Sequence, residues 1–405
     1  MSRITEEPPA APATATRRAW LAVLAVAAAT FADVTSELLP IGLLTPIGAS
    51  MHVTDGVAGL VVTVPGIVAA LSAPAVTLGC ARVERRLLFC GLIALLLVAN
   101  AGSALAPNFA VLLAARVLVG VSIGGVWSIV ASLVVRLVPE RNAGTATSLA
   151  FSGIAVASVL GVPAGTQLGE VADWRAGFTA MAALSALVLA ALWLTMPPLP
   201  VTRPARLDDV PALLRDARVR GALVVTLALV TGHFAAYTYI RPVLEDVSGS
   251  TPTLISALLL GYGLAGVVSN FLAGAAATRD ARRTLLALTA LLAAAVLLAP
   301  LLGRTVPGAV ALVVAWGLGY GGVSVTAQTW LLALAPQARE SASSLFVAVF
   351  NAAIALGALV GGRVLDAFSL TAVLWCGGAL AALALLAMTL SAGARRGRDR
   401  AVLRA

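Results

Sequence analysis

Apolar residues fill this chain in runs of roughly twenty or more, the length a helix needs to cross a bilayer. Each run is closed by a short cluster of arginine, proline or glycine. The breaks predict spans at 19–44, 56–80, 87–106, 109–138, 142–168, 176–196, 219–244, 252–278, 284–303, 307–335, 341–365 and 370–391. The runs are apolar on all faces and rich in Gly and Ala, as membrane helices packed through small residues are. Strand-length alternation is absent, which removes a membrane barrel from consideration.

The longest polar stretch, 197–220, falls near the middle and is rich in Pro, Arg and Asp. Displacing the chain on itself by 197 places Arg82, Arg85 and Arg86 on Arg279, Arg282 and Arg283. It also places Gly124-Gly125-Val126 on Gly321-Gly322-Val323, Pro139 on Pro336 and Gly165 on Gly362. The expected architecture is therefore all-α, with twelve transmembrane helices in two parallel six-helix halves. Its parts are a cytoplasmic segment 1–18, a first half 19–196, a cytoplasmic linker 197–218, a second half 219–391 and a basic tail 392–405. A ligand would bind between the halves at mid-membrane.

Composition supports the pattern: of 405 residues, 60% are apolar and 11% charged, which leaves no room for a separate soluble catalytic domain. The net charge is +9. The basic residues punctuate apolar segments instead of clustering on one face, so no nucleic-acid partner is expected. All are arginine, as high-GC codon usage gives. Twenty-two of them fall on one side of the twelve spans and only Arg175, Arg304 and Arg363 on the other. The positive-inside rule then puts both termini in the cytoplasm, with the first span retained as a signal anchor in a bacterial inner membrane. Cys80, Cys90 and Cys376 lie in or beside apolar runs and read as packing residues, and with only two histidines no metal site is expected. No Gly-rich phosphate loop is present, so an ATP-driven pump has no basis, and no cofactor is expected.

Charged groups inside spans are expensive and call for a reason. Asp33 and Glu37 lie one turn apart on one face of span 1. Two carboxylates so close in low dielectric do not both ionise readily, so one is expected to hold a proton near neutral pH. The structural alternative is a Glu37 that snorkels to the interface and an Asp33 that bonds a neighbouring helix. Arg116 in span 4 cannot shed its charge; it needs a carboxylate, carbonyls or water, and Asp33 or Glu37 is the carboxylate at hand. Arg241, before Pro242 and near Glu245 and Asp246, reads equally as a surface pair or a binding group. Trp127, His233, Tyr237, Tyr239, Asn270, Gln328, Trp330 and Asn351 could line an apolar cleft for an amphipathic molecule, although each alone reads equally as helix packing.

Several segments resemble the major facilitator superfamily, within it the twelve-span drug:proton antiporters of the arabinose/sugar-efflux and chloramphenicol-resistance branch. The stretch from Phe31 through Asp33, Glu37 and Pro40 to Pro46 is similar to that branch's acidic residue followed by a Pro/Gly-Leu-Leu-x-Pro end. Arg116-x-x-x-Gly120 resembles the superfamily's span 4 motif, whose Arg is implicated in proton coupling. Gly153, Gly161, Pro163 and Gly165 before Trp174-Arg175 resemble the glycine-proline signature of exporters. Gly232-His233-Phe234 with Tyr237, Tyr239, Arg241 and Pro242, and Phe350-Asn351 before Gly357, Gly361 and Gly362, resemble the branch's spans 7 and 11. The resemblance implies a proton-coupled antiporter acting on small molecules, a monomer is expected, and the exporter signature of Gly161, Pro163 and Gly165 joins the loop after span 2 as gating elements. That loop departs from the usual Asp-Arg-x-Gly-Arg-Arg: it reads Ala81-Arg82-Val83-Glu84-Arg85-Arg86, so gating rests on Glu84, with Arg136 as its expected partner, or is looser. Asp33 stands where a small uncharged residue is common, which would favour a cationic substrate or a second proton. The other readings are an uptake symporter, a membrane-embedded sensor and, least supported, a membrane enzyme.

Overall fold

Hydrocarbon offers backbone N–H and C=O groups no partners but one another, so each apolar run folds as a helix. The computed structural model describes residues 16–80, 82–200 and 210–402. Its long helices are α1 (Arg17–Gly42), α2 (Leu60–Gly79), α3 (Arg85–Ala104), α4 (Phe109–Val134), α5 (143–171), α6 (Trp174–Thr195), α7 (Ala217–Tyr237), α8 (252–279), α9 (281–302), α10 (Val306–Leu334), α11 (Arg339–Ala367) and α12 (Leu370–Val402). The described residues contain no strand. Of the expected parts, residues 1–15, Ala81, linker residues 201–209 and residues 403–405 lie outside the described residues, as do the side chains of 391–402.

Twelve spans emerge only when the stretch Pro252–Leu302 is divided. Its 51 residues would reach about 76 Å at 1.5 Å per residue, well over twice a hydrocarbon core. The division falls at Asp280, whose φ of −155° and ψ of 89° are not helical. Helix starts are set by side chains that accept the orphan N–H groups of the first turn: Thr16 caps α1, Asn108 α4, Thr251 α8 and Thr305 α10. Two expected spans end early. Span 1 stops at Gly42 and resumes as Leu44–Met51, and span 7 stops at Tyr237 and resumes as Ile240–Asp246. The expected linker holds a short helix, Val210–Arg215.

The displacement by 197 has a physical counterpart. Gly120 lies against the carbonyl of Pro65 and Gly124 against that of Ala69, bringing α4 onto α2. Gly317 lies against the carbonyl of Tyr262 and Gly321 against that of Gly266, bringing α10 onto α8. Each contact in the second half is the first-half contact displaced by 197. The two halves thus share one internal packing, set by glycines that let backbones touch. Around them Leu105, Leu187, Phe271 and Trp193 point outward, an apolar surface suited to lipid and not to water.

A side chain at Gly321 would have to displace the backbone of Gly266, whereas a Cβ at Gly261 meets nothing within 4 Å. Gly321→Val should therefore lose about 1–3 kcal/mol, as overpacking does. Gly261→Ala should be neutral or gain up to about 1 kcal/mol. Denaturant unfolding of the detergent-solubilised pair checks this.

Candidate functional site

The site is organised by Arg116, a fully buried guanidinium on α4 about 10 Å along the helix from its start. Its Nε donates to the carbonyl of Val61 at 2.8 Å, Nη1 to that of Ser36 at 2.8 Å and Nη2 to that of Glu37 at 3.2 Å. Two of these acceptors are free for a reason written in the sequence. In a helix the carbonyl of residue i takes the N–H of residue i+4, and the residues four beyond Ser36 and Val61 are Pro40 and Pro65, which have no N–H. Arg116 thus supplies the donors that two prolines withhold and ties α1, α2 and α4 together. The expectation that a carboxylate is its direct partner is corrected: the guanidinium is held by carbonyls, with the Glu37 carboxylate within electrostatic reach.

Asp33 and Glu37 are both buried on α1. Asp33 Oδ1 accepts from Ser122 Oγ of α4 at 3.2 Å, while Oδ2 has no partner among the described residues. Ser122 also donates toward the Leu92 carbonyl of α3, which places Asp33 inside the first half. Among the described residues Glu37 Oε1 has no hydrogen-bond partner, and the hydroxyl of Tyr320 on α10, within electrostatic reach of Glu37, has none either. Gly161 and Gly165 of α5 pack on the side chains of Thr35 and Leu39, on either side of Glu37 in the chain. They flank Pro163, which follows the π turn Ala157–Gly161.

The second half answers this charged cluster with rings. His233 is buried and stacks on Tyr320, with ring centroids 3.3 Å apart, and on Tyr237 at 5.0 Å. Tyr237 stacks in turn on Tyr262 at 4.6 Å. Trp316 Nε1 donates to His233 Nδ1 at 3.0 Å. An indole N–H only donates, so the neutral imidazole carries its proton on Nε2, facing the Tyr262 hydroxyl at 3.5 Å. Displaced by 197, Pro40 becomes Tyr237, Pro65 becomes Tyr262 and Arg116 becomes Val313. Where the prolines are absent, so is the arginine.

At the end of the bundle opposite the chain termini the halves are joined. Arg241 pairs with Glu245 at 2.8 Å and donates to the Gly42 carbonyl at 2.7 Å, another acceptor left free by a proline, here Pro46. Glu245 also accepts from Thr45 at 2.9 Å. The Tyr239 hydroxyl donates to the Ala358 carbonyl and is wedged between Gly59 and Gly362, and the Asp366 carboxylate abuts Gly56. Arg241 and Tyr239 therefore link the two halves at that end. Near the termini the loop after α2 and the end of α4 are tied to the chain after α6. Glu84 accepts from the Leu199 N–H at 2.7 Å and Arg136 donates to the Pro200 carbonyl at 2.6 Å. The expected Glu84–Arg136 pair is thus replaced by two separate anchors on the chain after α6. Arg82 is exposed, Arg85 reaches the Cys80 carbonyl and Arg86 the Trp193 carbonyl.

The remaining candidates are dispersed. Trp127 packs on Phe151, with centroids 6.0 Å apart; Gln328 donates to Ser343; Asn351 donates to the Val347 carbonyl of its own helix; Asn270 and Trp330 are half-buried. Tyr262, Trp316, Tyr320, Ser122 and Asn100, which donates to Ser36 Oγ at 2.9 Å, belong to the site without having been singled out. One signal could have found two of them: all four tyrosines of the chain lie in the second half.

Two clusters, one charged and one aromatic, thus lie buried between membrane helices. The sequence profile of the Major Facilitator Superfamily matches residues 21–251 and 223–402. The chain belongs to this superfamily. It is 34% identical over 351 residues to the transcription regulatory protein OpdE of Pseudomonas aeruginosa, covering 86% of this chain and 87% of that one. It is 32% identical over 352 residues to a probable sugar efflux transporter of Helicobacter pylori, covering 87% and 90%. In fold it is similar to the human organic anion transporter MFSD10, with a TM-score of 0.66 at 19% identity, over 94% of this chain and 100% of that one.

Arg116→Met should lower unfolding stability by about 3 kcal/mol, since hydrogen bonds to charged groups contribute about 1.5–3 kcal/mol each. Pro40→Ala gives the Ser36 carbonyl a donor, so its gain should be about 1 kcal/mol larger beside Arg116→Met than in the wild type. Equal gains in both backgrounds would show that carbonyl pairing is not what Arg116 contributes.

Proposed function

We propose that this protein is a proton-driven antiporter that exports small amphipathic molecules, drug-like or sugar-like, across a bacterial inner membrane. It works as a monomer with both termini in the cytoplasm, through halves at 19–196 and 219–391 joined by the linker 197–218. The observation that carries this reading is the Glu37 carboxylate, buried, with an oxygen that has no partner among the described residues, within electrostatic reach of the Tyr320 hydroxyl of the other half, which has none there either. Buried polar atoms are almost always paired, and one left open where two moving halves meet suits a group that exchanges a proton and a ligand.

In the proposed cycle Glu37 is ionised when the cleft faces the cytoplasm and accepts substrate, with Asp33 as the second acid of the same face. A proton from outside then favours release and resets the carrier. The end held by Arg241, Glu245 and Tyr239 is the external one in this orientation, and the proposed cycle requires it to open for release. A proton needs only to bind the two states unequally to shift them. Over one pH unit it supplies about 1.4 kcal/mol, enough for a tenfold substrate gradient at one proton per cycle. The efflux name of the Helicobacter pylori relative supports the outward direction.

A second reading, a sensor that moves nothing, is favoured by one observation: the Pseudomonas aeruginosa relative is named as a transcription regulatory protein. Flux separates the two. Inverted vesicles carrying a pH-gradient dye should show recovery of quenched fluorescence when a transported compound is added from a panel that includes a pentose and a phenicol drug. Recovery should vanish in Glu37→Gln, while Asp33→Asn decides whether one acid or two are needed. Recovery that survives Glu37→Gln removes Glu37 from the coupling role, and no recovery across the panel favours the sensor.

A further inference from the structure

A groove of about 660 Å³ opens toward the lipid between α3 and α6, lined by Leu87, Cys90, Gly91, Leu97, Ala186 and Trp193 among others. We propose that it is a binding site for an anionic phospholipid, with one acyl chain in the groove and the phosphate on Arg18 and Arg86. The reasoning starts from its length. From Leu87 to Leu97 the helix rises about 15 Å, half of a hydrocarbon core of about 30 Å. The groove therefore runs from the terminus end of the bundle to mid-membrane, the depth of one leaflet and of one acyl chain. Around Gly91 the space is not used by the protein: a Cβ there would meet nothing within 4 Å.

The charge stands at the mouth. The last carbonyls of α6 have no helical partners. Arg86 takes that of Trp193 at 2.6 Å, and Arg18 takes those of Leu194 and Thr195 at 3.1 and 3.2 Å. The Arg86 guanidinium also lies 4.8 Å from the centre of the Trp193 ring, itself half exposed at the groove. All these partners are neutral. Among the described residues the ion pairs within 4 Å are Arg175 with Asp173, Arg241 with Glu245 and Arg283 with Asp280, so neither Arg18 nor Arg86 is in one; the nearby Glu84 carboxylate is engaged by the Leu199 N–H. Arg86 Nε is buried and has no acceptor among the described residues. Two guanidiniums held by carbonyls and outside any ion pair among the described residues, at the bilayer surface above an apolar slot one leaflet deep, match a phosphodiester with an acyl tail. A zwitterionic headgroup brings its own cation and gains less, and a second copy of this chain would have to bring basic clusters of the same kind together.

The test uses the full-length protein in nanodiscs of equal parts phosphatidylglycerol and phosphatidylcholine, with the lipids that stay bound read by native mass spectrometry. The wild type should retain phosphatidylglycerol preferentially. Arg18→Gln and Arg86→Gln should each reduce that preference about fivefold, the factor that corresponds to about 1 kcal/mol per basic residue at an anionic surface. Because those arginines also cap α6, Gly91→Phe is the independent variant: it fills open space and should release the retained lipid while leaving the unfolding temperature in detergent unchanged. Retention without headgroup preference, a preference that survives the double arginine variant, or a dimer that Gly91→Phe dissociates would each overturn the proposal.

Discussion

The arrangement of the first half depends on one exchange: a guanidinium in hydrocarbon for the hydrogen bonds that prolines remove. Pro40 and Pro65 leave the carbonyls of Ser36 and Val61 without N–H partners inside the membrane, where water cannot reach them. Arg116, equally in need of acceptors, meets both. Either defect alone would be costly, since unpaired backbone groups and unpaired charges each carry a heavy penalty in low dielectric. Together they form a joint that fixes three helices around Glu37. The joint also explains why an arginine serves there and a lysine would not: a planar fork of five donors can span carbonyls on two helices, whereas a point charge cannot.

The two halves share a packing frame and differ in what they place on it. The glycine contacts repeat with the same displacement, but the prolines and the arginine do not, and tyrosines occupy the repeat positions of the prolines. One half is left with carboxylates, the other with stacked rings around a histidine pinned by Trp316. Asymmetry of this kind suits a site that must hold a molecule with a polar and a flat apolar part between surfaces that separate. The same substitution of arginine for a missing N–H recurs where Arg241 meets the carbonyl freed by Pro46, this time across the halves. On the proposed reading a joint across the halves breaks when they part, whereas the three hydrogen bonds of Arg116 lie within one half and need not.

Much of this was legible in the sequence because the bilayer enforces it. Run length placed every long helix, with the largest boundary errors at the end of span 7 and of α12, and the displacement by 197 revealed the shared frame. Legibility failed where long-range geometry decides. Nothing in the local pattern says that Arg116 points at backbone instead of the carboxylates nearby, although the i+4 relation of Pro40 to Ser36 and of Pro65 to Val61 was there to be read. Glu84 and Arg136 look complementary in sequence, yet both are drawn to the chain after α6, whose N–H and carbonyl groups lie between them. The break at Asp280, by contrast, was legible too, since Arg279, Arg282 and Arg283 close the run there although no proline or glycine stands beside it. Tyr262, Trp316 and Tyr320 were hidden because aromatic residues in apolar runs look like packing until their rings are seen stacked.

On the proposed reading, the placement of Glu37 follows from these constraints and not from chemistry alone. A proton carrier must be buried enough for its charge to matter and free enough to change partners. Arg116 is close enough to influence the Glu37 charge but is anchored to carbonyls, so it does not follow the carboxylate or neutralise it by direct contact. Had the guanidinium paired with Glu37 in a salt bridge, protonation would have left a buried cation without its partner, a state that costs several kcal/mol. Holding the arginine on backbone acceptors lets Glu37 gain or lose a proton while the helix joint stays intact. That separation of structural and titrating roles is what allows one carboxylate to switch beside a charge that never does.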